Sequence, residues 1–375
     1  MRKSICGLLV LGLYSAVIFA QATWTSPFLN TSTDEPSLSK RPAISSFTGT
    51  PTRILITRPV TKYGNAPLED KWLLLLCEYY LYFRLRGIEA VSVVPQDALV
   101  ELVPEYMEYK MPIPIEKYGA AAKKVSADYL IYIQCEYNRL LSEGQISLRK
   151  DTDINFFGKI VSPSSDKPLF VDAKQFSVDK LGMRLDMFLN QVFEVLNIGL
   201  TEKNRNFMET AVMGSNGKKI KKLGEYLAAA YASEVTEWSP FIKKYKRLMR
   251  RNADMLIGYY AGAHMCEMAG KYLDAAHLFH SLIDALDMSY PRAFVETCRY
   301  YRLSGKFDQV EKIIGAMPTV EHLKHDVTME KAFLLESKGE VRKAADMALD
   351  VLKEDKNNKR AREFYKQNTY EYVSE

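Results

Sequence analysis

A repeat in the last third of the chain, from Leu256 to about Asn358, constrains the fold more than any other feature of the sequence. Three glycines mark this repeat, 35 and 34 positions apart, and side chains of similar size recur around each of them. The glycines are Gly270, Gly305 and Gly339; Ala263, Cys298 and Ala332 stand seven residues before them, and Ala275, Val310 and Ala344 stand five residues after. Small side chains let two helices approach closely, and a glycine can adopt the positive φ that ends a helix. The spacing therefore predicts three α-hairpins that stack, because one hairpin cannot bury its apolar face alone.

This pattern resembles the tetratricopeptide repeat (TPR), a helix–turn–helix unit of 34 residues. The first copy, YYAGAHMCEMAGKYLDAAHLF from Tyr259 to Phe279, carries the resemblance best. An unrelated helical bundle is the alternative interpretation. The resemblance implies a concave groove for a bound polypeptide, and no catalytic machinery within the repeats.

The residues before the repeat predict a mixture of strands and helices. Strands are predicted at Arg53–Val60, Glu89–Val94, Asp128–Tyr137, Asp151–Val161 and Leu169–Val178, and helices at Leu68–Arg86, Gln96–Leu102, Ile115–Val125 and Lys180–Leu200. Strands that alternate with helices and end in an antiparallel pair predict a layered α/β domain with a mixed sheet. The fold class predicted for the whole chain is therefore α+β: this domain, followed by an all-α solenoid.

Two segments of this domain resemble the amino-terminal domain of TolB and its relatives, which is shared in outline with the curli-export protein CsgG. The segments are Val93–Val100 and Ala120–Gln134, and the resemblance extends over roughly residues 51 to 200. One departure is Ser126, which stands where the family usually has a glycine. The resemblance implies a bacterial envelope protein that acts in interaction or assembly.

The chain begins with a pattern typical of a secretory leader. Arg2 and Lys3 precede an apolar run, and Ala20-Gln-Ala22 gives a small–x–small cleavage pattern. An uncleaved anchor is the alternative, and no later stretch reaches the ~18 apolar residues that a membrane helix needs. The predicted organisation is a signal peptide (1–22), a flexible linker (23–52), the TolB-like domain (53–200), a helical connector (201–254), and about three repeats with a capping helix (255–375). The predicted localisation is the bacterial periplasm.

Composition and motifs argue against several classes of function. The net charge of +5 is too small to predict nucleic-acid binding. The basic runs Lys218–Lys222 and Lys243–Arg251 fall on predicted helices and are interpreted as solvated faces. No GxSxG, GxxxxGK or HExxH motif is present, so no catalytic residue, metal or cofactor is predicted. Cys266 and Cys298 lie on adjacent repeats, where buried thiols are favoured over a disulfide.

The TPR resemblance also implies which residues face the groove. The residues chosen as a partner-binding surface are Tyr260, His264, Arg292, Arg299, Arg302 and Phe333. Arginines offer forked donors to carboxylates and aromatic rings offer rigid contact area, so the expected partner is a protein or extended peptide with acidic character. The alternative is an ordinary solvated inner face.

Three hypotheses for function remain open at this stage. The favoured one is a non-enzymatic periplasmic scaffold that docks a partner polypeptide in the repeat groove. The second is a structural subunit of an envelope motility or secretion assembly. The third is an enzyme that modifies an envelope polymer, for which the sequence offers no recognisable acid–base pair.

Overall fold

The structure, a computed structural model, confirms the α+β class: one mixed sheet is followed by a series of helices. It describes residues 46–61, 71–107, 113–137, 154–165, 167–232, 235–286, 289–317, 320–356 and 358–370. The predicted signal peptide and residues 23–45 of the predicted linker therefore lie outside the described residues. Among the described residues, no helix is long and apolar enough to cross a membrane.

A five-stranded sheet forms the amino-terminal part, in the order β2-β1-β3-β4-β5. The strands are β1 (Thr52–Ile56), β2 (Val91–Val93), β3 (Tyr129–Tyr137), β4 (Ile154–Val161) and β5 (Pro168–Phe176). Strand β1 pairs in parallel with β2 and β3, whereas β3, β4 and β5 pair antiparallel. The predicted mixed sheet is thus present, and its antiparallel half corresponds to the last three predicted strands.

The described chain also contains fourteen α-helices. They are α1 (Lys71–Arg86), α2 (Gln96–Leu102), α3 (Ile115–Lys124), α4 (Leu181–Val195), α5 (Glu202–Glu209), α6 (Gly217–Tyr231), α7 (Trp238–Arg250), α8 (Leu256–Met268), α9 (Tyr272–Leu286), α10 (Arg292–Leu303), α11 (Phe307–Ala316), α12 (Lys324–Ser337), α13 (Val341–Glu354) and α14 (Lys359–Tyr370). One predicted helix is too long, because α4 ends at Val195 and not at Leu200. Asn197 has a φ of +55°, a left-handed conformation that ends a helix, and the N–H of Ile198 donates to the carbonyl of Phe193.

The sheet buries a different set of side chains on each face, as alternation along a strand requires. Ile54 and Ile56 belong to the core shared with α1 and α4, whereas Leu55, between them, belongs to a smaller core with α2 and α3. The sheet is therefore covered on both faces around β1, the strand that lies between β2 and β3.

Helix α1 joins the sheet to the helices that follow. Every residue from Trp72 to Leu85 is buried, including Glu78 and Arg84. A helix that is apolar all round must be covered on all sides. Here one side contacts the sheet and α4, and the other contacts α6 and α8. The large core consequently runs without interruption from Ile54 in the sheet to Leu334 in α12.

The three predicted hairpins are α8–α9, α10–α11 and α12–α13. Gly270, Gly305 and Gly339 lie between their helices with φ of +65°, +71° and +81°. At each turn an N–H donates to a carbonyl five residues earlier, for example Lys271 to Cys266 at 2.7 Å. The six small residues around the glycines, which are Ala263, Cys298, Ala332, Ala275, Val310 and Ala344, are all 0% exposed. Close approach of the paired helices explains their size.

The four cysteines after residue 22 are buried thiols. Cys266 and Cys298 are among them, and burial raises the pKa of the Cys266 thiol to about 12. Cys77 of α1 and Cys135 of β3 contact each other in the core, with their sulfur atoms 3.7 Å apart.

Candidate functional site

The predicted groove residues come together on the first helices of the hairpins, α8, α10 and α12. Each helix presents charged side chains to the next one, and these side chains form ion pairs between helices. Arg299 of α10 binds Glu267 of α8 at 2.6 Å, and Arg302 of α10 binds Glu330 of α12 at 3.0 Å. Arg292 of α10 also pairs with Asp326 of α12. We call this network of arginines and carboxylates the charged ladder.

Glu296 lies at the centre of the ladder, with a side chain only 4% exposed. Arg292 approaches its carboxylate at 3.3 Å, Arg299 at 3.5 Å and Arg86 of α1 at 3.8 Å. Burial alone raises the pKa of a carboxyl group, but the three guanidinium groups, led by Arg292, hold the pKa of Glu296 well below its usual range. The side chain is therefore a fixed negative charge.

The second node of the ladder is Glu330, which is completely buried. It accepts hydrogen bonds from Arg302 and from Arg360 of α14. Both guanidinium groups also lie over the ring of Phe333, that of Arg302 at 4.0 Å and that of Arg360 at 4.9 Å from the centroid. Cation–π contacts of this kind fix the position of both partners. Phe333 thus contacts two arginines and lies against Phe364 of α14, at 4.6 Å between ring centroids.

Two of the predicted groove residues lie under helix α1. Tyr260 is 2% exposed, and its ring contacts those of Tyr79 and Phe83. His264 contacts the rings of Tyr79 and Tyr260 and lies 3.4 Å from the carboxylate of Glu267. The chain itself therefore covers the part of the groove formed by the first hairpin. Among the described residues, the part of this surface that stays open to solvent lies on α10, α12 and α14.

The remaining predicted residues are partly open to solvent but already paired. The side chain of Arg299 is 37% exposed, that of Arg292 is 20% exposed and that of Arg302 is 16% exposed. Sequence reasoning selected the arginines and did not select the carboxylates that bind them. A signal was available, because the same repeat positions that gave the arginines place Glu267 and Asp326 on the neighbouring helices. Arg360 carried no such signal, since it lies on the predicted capping helix outside the three copies.

A basic cleft of about 580 Å³ lies between α7, α8 and α9. Its rim carries Lys243, Lys246, Arg250 and Lys271. Lys246 pairs with Asp274, and the other three cations are exposed. The run Lys243–Arg251 thus contributes a mostly solvated face, and its apolar side packs on α8.

A second cavity, of about 640 Å³, lies between α1, α4 and the segment from Met208 to Ser215. Its wall is held by Arg84, which is fully buried. Arg84 binds Asp186 through two hydrogen bonds of 2.8 Å and donates to the carbonyl of Thr210 at 2.8 Å. No feature of the sequence pointed to this cavity, because its residues come from four separate stretches of chain.

Among the residues that the structure describes, no group of three or more His, Cys, Asp or Glu side chains is placed to hold a metal ion. No protein-family model matches the chain, and no curated protein matches it either.

Proposed function

We propose that this chain is a non-enzymatic scaffold of the bacterial periplasm, which docks a partner polypeptide on the charged ladder. In this proposal residues 53–200 are a TolB-like domain and the three hairpins are TPR-like repeats. The periplasmic location rests on the leader pattern of residues 1–22. The observation that carries the proposal is the ladder itself: fixed, partly exposed charges that continue from helix to helix beside an aromatic ring.

The physical argument is preorganisation. A free arginine loses side-chain entropy when a partner immobilises it, which weakens binding. In the ladder the arginines are already held by Glu267, Glu296, Asp326 and Glu330, so a partner meets fixed donors. Because the carboxylates of Glu267 and Asp326 are partly exposed beside the guanidinium groups, the ladder favours an extended segment with charges of both signs over the segment of acidic character that the arginines alone suggested.

The test uses Arg299, whose side chain is the most exposed of the three arginines in the charged ladder. Crosslinking in intact cells, followed by mass spectrometry, identifies the partner, and the Kd of the purified pair is then measured. Arg299→Glu should weaken binding by about 10-fold or more, since it places a negative charge against Glu267 and Glu296 and the partner. The matched control is Arg342→Glu on the exposed side of α13, which should leave the Kd within twofold. Equal affinity of the two variants for the partner would show that the partner does not bind at the charged ladder.

A subunit of an envelope assembly is the second candidate, and strand β5 favours it. Among the described strands β5 lies at the edge of the sheet, where Leu169 and Val171 are 50% and 44% exposed. Exposed apolar side chains on an edge strand are suited to pairing with another chain. Light scattering separates the two: a monomer at micromolar concentration favours the scaffold, and self-association that Val171→Lys abolishes favours the assembly subunit.

A further inference from the structure

Two buried cysteines lie against each other in the core between the sheet and helix α1. Cys77 lies in the middle of α1 and Cys135 lies on β3, and both residues are 0% exposed. Their sulfur atoms are 3.7 Å apart, so each atom needs to move by less than about 1 Å to reach the bond length of a disulfide, which is about 2 Å. Neither residue belongs to the charged ladder, so the pair takes no part in the proposed docking of a partner.

Burial alone does not distinguish this pair from the other described cysteines. Cys266 is 1% exposed and Cys298 is 0% exposed. The thiol of Cys298 donates to the carbonyl of Val310, 3.9 Å away, and thus has a backbone partner. Direct contact between two sulfur atoms is the feature that Cys77 and Cys135 share, and it is the approach that a disulfide requires.

A bond at this contact would tie together two elements that are distant in the chain. Cys77 and Cys135 are 58 residues apart, and α1 is the helix that carries the core from the sheet to the hairpins. A cross-link that closes a loop of this length restricts the unfolded chain strongly and leaves a compatible folded chain unchanged. The bond would therefore stabilise the packing of α1 on the sheet.

The burial of the pair determines when a bond can form. The thiolate is the reactive form of cysteine, and burial, together with the hydrogen bond to Cys77, raises the pKa of the Cys135 thiol well above its usual range. Both thiols are thus inaccessible and inert in the folded chain. The bond must form during folding, before α1 covers β3, and the completed core then protects it from reductants.

We propose that Cys77 and Cys135 form a disulfide when the chain folds in contact with a disulfide oxidant. The proposal takes one element from the proposed function, which is the oxidising compartment that supplies such an oxidant. The Cys77 thiolate attacks one sulfur of the oxidant's disulfide and displaces the other sulfur as a thiolate. The Cys135 thiolate then attacks the Cys77 sulfur, forms the Sγ–Sγ bond and displaces the second oxidant thiolate. Two electrons pass from the cysteines to the oxidant, and the two thiolates that leave take up the two protons.

The experiment follows the thiols of the full chain through refolding. The chain is unfolded in urea with a reductant, freed of the reductant, and refolded with a mixture of oxidised and reduced glutathione. Acid then stops exchange, urea exposes the remaining thiols to N-ethylmaleimide, and mass spectrometry of the peptides locates each cysteine. Cys77 and Cys135 should appear in one cross-linked pair of peptides, whereas Cys266 and Cys298 should carry N-ethylmaleimide. Alkylation of both Cys77 and Cys135 would show a pair of thiols joined only by a hydrogen bond and would overturn the proposal.

Stability tests whether the bond belongs to the native fold. Urea unfolding of the refolded chain, with and without a reductant, should give an equilibrium constant of unfolding about 10²–10³-fold smaller for the oxidised form, as a closed loop of this length implies. Cys135→Ala should abolish both the cross-link and this response to the reductant. Cys298→Ala is the matched control, a buried thiol outside the pair, and should retain both. An oxidised chain that unfolds at a lower urea concentration than the reduced chain would also overturn the proposal.

A separate measurement tests the compartment. The full chain is expressed in bacteria that export it, and acid quenching preserves the state of its thiols. The cross-linked peptides should be recovered from these cells. A bond that forms in refolding and is absent from the cells would contradict the periplasmic location and not the cysteine pair, and the outcome of Arg299→Glu at the charged ladder affects neither result.

Discussion

Glu267 shows how single residues offset the electrostatic cost of placing charges between helices. Its carboxylate is 29% exposed and meets Arg299 at 2.6 Å, the hydroxyl of Tyr300 at 2.6 Å and His264 at 3.4 Å. Burial raises the pKa of this carboxyl group, but the hydrogen bond from His264, the charge of Arg299 and the hydrogen bond from Tyr300 outweigh it and lower the pKa to about 2. The ionised form is therefore stabilised by folding.

The first prediction concerns this lowered pKa. The pKa of this carboxyl group is about 2 in the folded chain and about 4.3 in the unfolded chain. The ionised group therefore makes its full contribution to the free energy of unfolding above pH ~4.3, and this contribution is lost as the pH falls toward 2. Glu267→Gln should therefore lower the free energy of unfolding by about 1–2 kcal/mol at pH 7. The difference from wild type should shrink between pH 4.5 and pH 2.

Urea unfolding of both proteins at closely spaced pH values measures this difference. Glu363→Gln, at an exposed position of α14, is the control and should track the wild type at every pH. A difference for Glu267→Gln that stays constant from pH 7 to pH 2 would show that the carboxylate charge contributes nothing, and that only shape or packing had changed.

At the scale of elements, the helix ends depend on residues with positive φ. Gly305 has a φ of +71° and no atom within 4 Å of the position that a Cβ would occupy. The requirement for glycine is thus conformational and not steric. Ser126 ends α3 with a φ of +53°, at the position where the TolB-like resemblance places a glycine. There the N–H of Ala127 donates to the carbonyl of Ala122 at 2.8 Å, which is the same type of turn as at the glycines. Because Ser126 has a Cβ, its positive φ strains the backbone at this turn.

The second prediction contrasts these two turns. Gly305→Ala should lower the free energy of unfolding by about 1 kcal/mol, because a Cβ disfavours left-handed φ, and Gly305→Asn should lower it less. Ser126→Gly should raise it by a similar amount, since it removes that strain. Thermal and urea unfolding of the purified variants measure both changes.

A matched control separates backbone conformation from general helix propensity. Gly119 lies inside α3 with open space around its Cβ position and no positive φ, so Gly119→Ala should stabilise by about 0.5–1 kcal/mol. Stabilisation by Gly305→Ala would show that a left-handed conformation is not what Gly305 supplies, and destabilisation by Gly119→Ala would show that helix propensity does not set the effect at position 119.

The elements that the sequence predicted best are those whose pattern is local. The glycine spacing and the small residues around it located the three hairpins, because helix ends and close helix contacts depend on residues within one turn. The pattern missed α5, whose eight residues are too few for a clear period, although Thr201 caps it by accepting from the N–H of Asn204. It also extended α4 to Leu200, because the apolar period continues past Asn197, although asparagine sometimes adopts the positive φ that ends a helix.

At the scale of the whole molecule, the sequence could not show what covers each apolar face. Helix α1 was predicted from its period, but the period does not reveal that sheet and hairpins meet on its opposite sides. For the same reason Tyr260 was expected in a groove and instead lies beneath Tyr79 and Phe83. The arginines were foreseen from repeat positions, whereas their pairing with Glu296, Glu330 and Arg360 depends on contacts between distant parts of the chain.

The third prediction concerns how the molecule unfolds. One continuous core links the sheet, α1 and the hairpins as far as Leu334, whereas α12, α13 and α14 share a separate, smaller core that contains Phe364. Regions that share a core open together, and a separate core can open alone at lower free energy. In native-state hydrogen exchange, β3, α1 and α8 should therefore have similar high protection, and α13 and α14 should have lower protection.

Phe364→Ala should reduce protection in α13 and α14 by about 3 kcal/mol or more and leave that of β3 and α8 unchanged. Ile133→Val, in β3, should instead lower protection in β3 and α8 together, by about 0.5–1.5 kcal/mol. If Phe364→Ala lowered the protection of β3 as much as that of α14, the two cores would unfold as a single cooperative unit. In that case a partner bound at the charged ladder would stabilise the sheet as strongly as the helices that the partner contacts.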